Sequence, residues 1–254
     1  MNTLTELKSF CKLLAKESSK VIMQYYRSDF NIEIKPDQSP VTIADKKSEE
    51  LMRTLIMQNY PDHGILGEEF GEHNSEAEYK WILDPIDGTK SFISGVPLFG
   101  TLIALLKNNE PLLGVINHPV LNELLIGDNS VAELNDVKVT MRKCEDISAA
   151  TLLTSDHLMF GKYRNKISFD KLTEHVKLYR TWGDCYGYLM VATGRAELMV
   201  DPVMNLWDAA ALQPILEEAG GAFTDWRGTP TIHGREAIAT NGLLHQAVLD
   251  LVRA

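Results

Sequence analysis

Cysteine is scarce in this sequence. Cys11, Cys144 and Cys185 make an odd count with no Cys-x-x-Cys pair. Neither a disulfide framework nor a zinc ribbon is expected, and the setting expected is a reducing cytoplasm. Basic residues are outnumbered too, with 25 Lys and Arg against 35 Asp and Glu and a formal net charge of −10. Nucleic-acid surfaces are normally basic, so no nucleic-acid partner is expected. No apolar run approaches the roughly 20 residues that span a bilayer, and the N-terminus lacks a basic segment followed by an apolar stretch. No membrane role or signal peptide is therefore expected. HExxH, GxxxxGK[ST] and GxGxxG are all missing, which removes the commonest zinc-protease, phosphate-loop and dinucleotide signatures.

What remains is a chain of 254 residues, 44% hydrophobic, able to bury a large core. Leu7, Phe10, Cys11, Leu14, Val21, Ile22 and Tyr25 follow helical spacing, with Ser18 as a polar intruder. A polar stretch at Lys35–Ser39, punctuated by Pro36 and Pro40, predicts a mobile loop or hairpin. A second helix is expected from near Thr42 to about Asn59, before Pro61. Gly71–Glu78 reads as an acidic surface loop. Leu98–Leu106, Leu112–Asn117 and Glu123–Ile126 then read as an antiparallel meander, with Val137–Thr140 as a further strand.

The second half alternates differently. Strands are expected at Thr151–Thr154, Lys177–Thr181, Ala196–Val200, Ala222–Thr224 and Ala237–Thr240. Helices are expected at Phe169–His175, Cys185–Thr193 before Gly194, Trp207–Ala219 before Gly220-Gly221, and Leu243–Val252. The change in style near residue 145 predicts two subdomains, 1–145 and 146–254, sharing a cleft within one compact α/β unit.

The chemistry concentrates at Trp81-Ile82-Leu83-Asp84-Pro85-Ile86-Asp87-Gly88-Thr89. The apolar run reads as the end of a buried strand that stops at Pro85, and Thr89 as the cap of a following helical turn. Two acids, free N–H groups and a hydroxyl thus fall within six residues. Hard cations take carboxylate and carbonyl oxygens, and phosphates take N–H groups at a helix start. An Asx-rich turn is the plain structural alternative. Glu68 at another strand end, and Asp208 at a helix start, add two acids; Asp208 alone would read as a capping residue. Four such acids brought together repel unless cations neutralise them, and with no Cys or His beside them the cation favoured is Mg²⁺.

Gly67-Glu68-Glu69, Trp81 through Phe92, and Trp207-Asp208-Ala209-Ala210-Ala211 through Gly220-Gly221 resemble the inositol monophosphatase family of Mg²⁺-dependent phosphatases, in the family's order and spacing. The resemblance implies a five-layered αβαβα sandwich of the inositol monophosphatase/fructose-bisphosphatase type, usually homodimeric, lithium-sensitive, with two or three Mg²⁺ per site. It implies metal ligation by Glu68, Asp84, Asp87, Asp208 and the Ile86 carbonyl. It gives Thr89 and Glu68 the task of orienting and deprotonating the attacking water, and places Asp45 near the metals behind a mobile loop. The N–H groups of Gly88 and Thr89 would hold phosphate; Glu69 would lend support, and Lys90 reads as a solvated lysine.

Substrate choice is expected in the second half, at Gly183, Asp184, Cys185, Asp201 and Asp208. Polyol-specific members of the family tend to carry small neutral residues where this chain has Asp184. Two carboxylates, Asp184 and Asp201, suit a cationic alcohol. Gly183-Asp184-Cys185-Tyr186-Gly187-Tyr188, the stretch from Trp207 to Ile215, and Leu212 resemble the histidinol-phosphate phosphatase branch. The expected reaction is hydrolysis of histidinol phosphate, in histidine biosynthesis. Alternatives are an inositol or other sugar phosphate as substrate, and, from another class, an accessory role in RNA-synthesis machinery. Asp184 could instead cap the helix that follows it, and Tyr186 and Tyr188 read as core or wall residues.

Overall fold

Alternation along the central strands fixes the architecture of the computed structural model, which describes residues 3–29, 31–35 and 40–253. In one strand Trp81 and Leu83 face one way and Ile82 the other. In the next, Ile103 and Leu105 oppose Leu102, Ala104 and Leu106. Strands apolar on both faces need cover on both faces, which makes this sheet an inner layer.

In chain order the elements begin with α1 (Leu4–Tyr25), β1 (Ile32–Ile34), β2 (Pro40–Thr42), α2 (Ile43–Asn59), β3 (Gly64–Gly67), β4 (Gly71–His73), β5 (Tyr79–Asp87) and α3 (Thr89–Ile93). The meander follows as β6 (Gly100–Lys107), β7 (Glu110–His118), β8 (Glu123–Gly127), β9 (Ala132–Leu134) and β10 (Val137–Lys138). The remainder comprises β11 (Thr151–Leu153), α4 (Met159–Tyr163), α5 (Lys166–His175), β12 (Leu178–Arg180), α6 (Asp184–Ala192), β13 (Leu198–Asp201), α7 (Leu206–Ala209), α8 (Leu212–Glu218), β14 (Ala222–Thr224), β15 (Ala237–Thr240) and α9 (His245–Arg253).

Among the described residues these form an eight-stranded sheet, β10-β9-β8-β7-β6-β5-β3-β4, and a five-stranded sheet, β12-β11-β13-β15-β14. Helices α1 and α2 cover the outer face of the larger sheet through Phe10, Leu14, Met52 and Ile56. Helices α6, α7 and α8 fill the space between the sheets through Tyr188, Leu189, Ala210, Leu212 and Ile215. Phe160, Phe169, Leu172 and Val248, from α4, α5 and α9, cover the far face of the smaller sheet. The five layers are thus α-β-α-β-α, as expected.

Strand β1 pairs with β2 as a separate antiparallel hairpin; residues 36–39 of the anticipated loop lie outside the described residues. Several local expectations are corrected. The larger sheet gains β4 inside the stretch read as a loop, because Gly71–His73 pairs back on β3. It also gains β9, and the outer helical layer gains α4; both are too short to show a period. The anticipated helix Trp207–Ala219 is two helices, α7 and α8. Pro214 lacks an N–H and its ring crowds the carbonyl four residues back, so an uninterrupted helix is not available; the proline sits in the first turn of α8, where it is tolerated.

Strand β5 does not stop at Pro85. It runs to Asp87 with a register shift between Asp84 and Asp87, after which Asp87 pairs with Gly100. A bulge leaves one residue out of the ladder, which accommodates a proline without an unmet donor. The Pro85 carbonyl accepts a hydrogen bond from Thr101 Oγ1 (2.9 Å), and Thr101 contacts Ser18 (3.1 Å), which contacts Ser48 (2.8 Å). Ser18, the polar intruder on α1, is therefore part of a buried hydroxyl relay that holds the bulge.

Candidate active site

Strand pairing brings the acids together. Because β3 and β5 are parallel, with Gly67 beside Leu83, they end at the same edge; the Glu68 N–H donates to the Leu83 carbonyl at 3.1 Å. Glu68 thereby sits beside Asp84. The β5 bulge then turns Asp87 toward the same point, and α7 delivers Asp208 from across the middle layer. One carboxylate oxygen from each of Asp84, Asp87 and Asp208 lies within 4.8 Å of the others. Gly88, in a left-handed conformation (φ 84°), ends the strand and is the N-cap of α3, so the capping position expected for Thr89 belongs to Gly88. Thr89 instead begins α3 and donates its hydroxyl to the Ile86 carbonyl at 3.1 Å.

Three acids this close, one buried and two half-buried, cannot all ionise cheaply. Burial, then the charges of Glu68, Asp87 and Asp208, push the Asp84 carboxyl well up; burial, then Asp184 and Asp208, do the same to Asp87. Asp208 is pushed up to about 7, chiefly by burial, although the Asn205 N–H donates to its Oδ2 at 2.7 Å. Asp208 is thus both a capping acid and a member of the cluster. Asp84 Oδ1 and Asp45 Oδ1 are buried without a hydrogen-bond partner. Such orphan oxygens are expensive unless something electropositive meets them. An all-oxygen set with unmet lone pairs fits a hard divalent cation, and Asp84, Asp87 and Asp208 can hold one.

Asp45, in the first turn of α2, spends Oδ2 on the Thr42 N–H (2.8 Å) and hydroxyl (2.6 Å), and burial pushes its carboxyl up to about 6. Glu68 stands slightly apart: its Oε1 is held by Lys35 Nζ at 2.7 Å, and the same ammonium holds Glu69 Oε1 at 2.7 Å. Burial raises the Glu69 carboxyl to about 7 despite that partner.

A cavity of about 100 Å³ opens beside the cluster, lined in part by Ser155, Asp184, Tyr188, Asp201, Met204 and Leu212. Asp184 is the first residue of α6, at φ 53°; the N-cap is Gly183 and no side-chain cap bond forms, so the capping alternative for Asp184 fails. Among the described residues no side chain donates a hydrogen bond to its carboxylate. Burial, then the charge of Asp201, lifts that carboxyl to about 7, opposed by Lys90, which is itself exposed. A Cβ on Gly88 would lie 3.0 Å from Asp184 Oδ2, so Asp184 faces the start of α3. Cys185 presents its N–H to Asp87 Oδ2, while its side chain is buried against His118. Burial pushes that thiol well up, leaving it unreactive. Tyr186 packs edge-on against His118, and Tyr188 is a wall of the cavity.

Two residues escaped the sequence reading. Glu49, fully buried on α2, accepts the Glu69 N–H (2.7 Å) and the Phe70 N–H (3.2 Å), and receives Arg53 (3.1 Å). It fixes the turn carrying Glu68. A Cβ on Gly67 would stand 1.9 Å from Glu49 Oε1, which explains the glycine. The available signal was an acid on the apolar face of a helix, at the spacing Asp45, Glu49, Met52, Ile56. Ser155 left no signal; only folding brings it to Asp184 and Asp201.

The sequence profile of the inositol monophosphatase family matches residues 3–254. The chain belongs to the inositol monophosphatase family. A structure of an inositol monophosphatase from Zymomonas mobilis superimposes with a TM-score of 0.89 at 33% identity, covering 100% of both chains. A histidinol-phosphatase from Chlorobaculum parvum is 42% identical over 89% of this chain and 88% of its own length. A bifunctional phosphatase, IMPL2, chloroplastic, from Arabidopsis thaliana is 44% identical over 88% of this chain. The match spans 66% of the plant protein, just under two thirds of its length. As a member of this family the chain is a phosphatase. No described helix is long and apolar enough to cross a membrane.

Proposed function

We propose that this inositol monophosphatase family member hydrolyses histidinol phosphate to histidinol and phosphate, with two or three Mg²⁺ at the acidic cluster and as a homodimer. The observation that carries the substrate is Asp184: a carboxylate facing the cavity with no donor among the described residues, where a cationic alcohol would bring one. The apolar walls Met204 and Leu212 suit an imidazole better than a polyol. The relative named as a histidinol-phosphatase supports the same substrate. In this reading the ligand residues of 1–145 meet the substrate-facing residues of 146–254.

Asp84, Asp87, Asp208, Glu68 and the Ile86 carbonyl would hold the ions, with Asp45 close behind. Bound Mg²⁺ supplies the charge that acidifies water and offsets the negative charge building on phosphate and leaving oxygens. The protein's own part is positional. Thr89 donates its hydroxyl hydrogen bond to the Ile86 carbonyl, so its oxygen is left to accept a hydrogen bond from the attacking water, which turns a lone pair of the water toward phosphorus. Glu68, once Lys35 lets go, takes the proton. The first N–H groups of a helix have no partner within it, so those of Gly88 and Thr89 are available to the phosphate oxygens. No covalent phosphoenzyme is required, because water attacks phosphorus directly; the nearby Cys185 thiol is buried and protonated.

Phosphate release from histidinol phosphate by purified protein tests this. Turnover should require Mg²⁺, cease with EDTA and return on adding Mg²⁺ in excess. Absence of release at millimolar substrate would reject the substrate; release unaffected by EDTA would reject the metal role.

A further inference from the structure

Asp201 lies at the cavity, where a substrate contact was expected, yet its carboxylate is fully engaged. Oδ1 accepts the Thr154 hydroxyl (3.1 Å) and the Ser155 N–H (2.9 Å); Oδ2 accepts the Ser155 hydroxyl (3.0 Å) and the Tyr188 hydroxyl (2.9 Å). A carboxylate offers about four lone-pair directions, so four donors leave none for a substrate ammonium. The Ser155 hydroxyl that donates to Asp201 also accepts the Asp184 N–H at 2.8 Å. It thereby uses both its donor and an acceptor site, and it does so at a backbone held in the left-handed region, φ 53° at Asp184. The contact is close: a Cβ on Gly183 would fall 2.2 Å from Ser155 Cα, so only glycine lets the two segments meet.

We propose that Ser155 is the positioning residue for substrate selectivity: it occupies Asp201, pins the turn at Asp184, and leaves Asp184, rather than Asp201, as the carboxylate turned to the alcohol part of the substrate. The inference rests on the cationic-substrate reading above and adds that Asp201 is scaffold, not ligand. Asp184 holds its unusual backbone because its N–H has a fixed acceptor. Without the Ser155 hydroxyl that N–H loses its partner, the turn relaxes, and the carboxylate moves off the substrate cation.

A double-mutant cycle on the full chain tests this, using Ser155→Ala, Asp184→Asn and the pair, with histidinol phosphate and glycerol phosphate as esters and circular dichroism to verify folding. Ser155→Ala should lower the ratio of kcat/KM for the cationic over the neutral ester about tenfold, mostly through KM. In an Asp184→Asn background it should lower that ratio no further, because Ser155 acts through Asp184. Asp201→Asn should lower Tm and slow both esters alike. A Ser155→Ala variant that keeps its selectivity, or loses the same factor again in the Asp184→Asn background, overturns the positioning role even where Asp184→Asn alone is selective. A selective loss in Asp201→Asn overturns the scaffold role. If Asp184→Asn itself is not selective, the cationic-substrate reading fails and this inference falls with it.

Discussion

Replacing Asp184 by asparagine isolates charge from shape at the point where substrate choice is made. Asparagine tolerates the left-handed backbone seen there (φ 53°) better than most residues, and its amide N–H still reaches Ser155 Oγ. What disappears is a carboxylate that faces the start of α3 and accepts no hydrogen bond from a described side chain, with the exposed Lys90 offsetting part of its charge. A hydrogen bond to a charged group contributes about 1.5–3 kcal/mol, which corresponds to roughly one to two orders of magnitude in kcat/KM. Histidinol phosphate should lose that factor, and glycerol phosphate, which offers no cation, should change by about threefold or less. Initial rates at saturating Mg²⁺ over a range of each ester give the comparison. Equal losses on both esters would refute the argument, returning Asp184 to a structural part and favouring a neutral polyol phosphate as substrate.

Other perturbations act on the cluster and its supports. Asp84→Asn and Asp208→Asn should each abolish Mg²⁺-dependent turnover while raising the melting temperature of metal-free protein, since each relieves repulsion among closely spaced acids; normal turnover would remove either residue from the ligand set. Glu49→Gln offers one acceptor oxygen where the Glu69 and Phe70 N–H groups and Arg53 use two, so it should cost about 1–3 kcal/mol in denaturant unfolding and reduce turnover through misplaced Glu68; an unchanged unfolding midpoint would contradict it. Carboxyls raised in the fold bind protons that the unfolded chain has released, so metal-free stability should fall as pH rises through about 7, where Asp184, Asp208 and Glu69 titrate. Melting temperatures should be higher at pH 6.5 than at pH 8, and the reverse order would contradict the raised values. Below pH 6.5 the buried His118, lowered to about 4 by burial, opposes this trend. Lithium should inhibit turnover by occupying a site meant for Mg²⁺, as inhibition curves at subsaturating substrate would reveal.

The clustering of Asp84, Asp87 and Asp208 could be read from the chain because Gly88 marks the end of β5 and Asp208 opens a helix, and such punctuation survives in sequence. The layered fold was legible for a similar reason: doubly apolar strands such as Ile103–Leu106 can only be internal. What stayed hidden depends on contacts between distant segments. Glu49 is an ordinary helical glutamate until the turn at Glu69 folds onto it. Ser155 meets Asp184 and Asp201 only when β11, α6 and β13 converge, and Lys35 meets Glu68 only through the β1–β2 hairpin. The misreading at Pro85 had a different origin. Proline does end most strands, but here a bulge and the Thr101 hydroxyl carry β5 past it. The helix assigned across Pro214 erred the other way, by letting apolar spacing outweigh a missing N–H.

An acidic, metal-dependent site that selects a cationic phosphate ester should discriminate between esters by charge. The most direct test is kcat/KM of the purified protein for histidinol phosphate and for inositol 1-phosphate, measured side by side at saturating Mg²⁺. Histidinol phosphate should be preferred by at least about tenfold, the lower end of what one charge-assisted contact supplies. Comparable values, or a preference for the inositol ester, would contradict selection by charge.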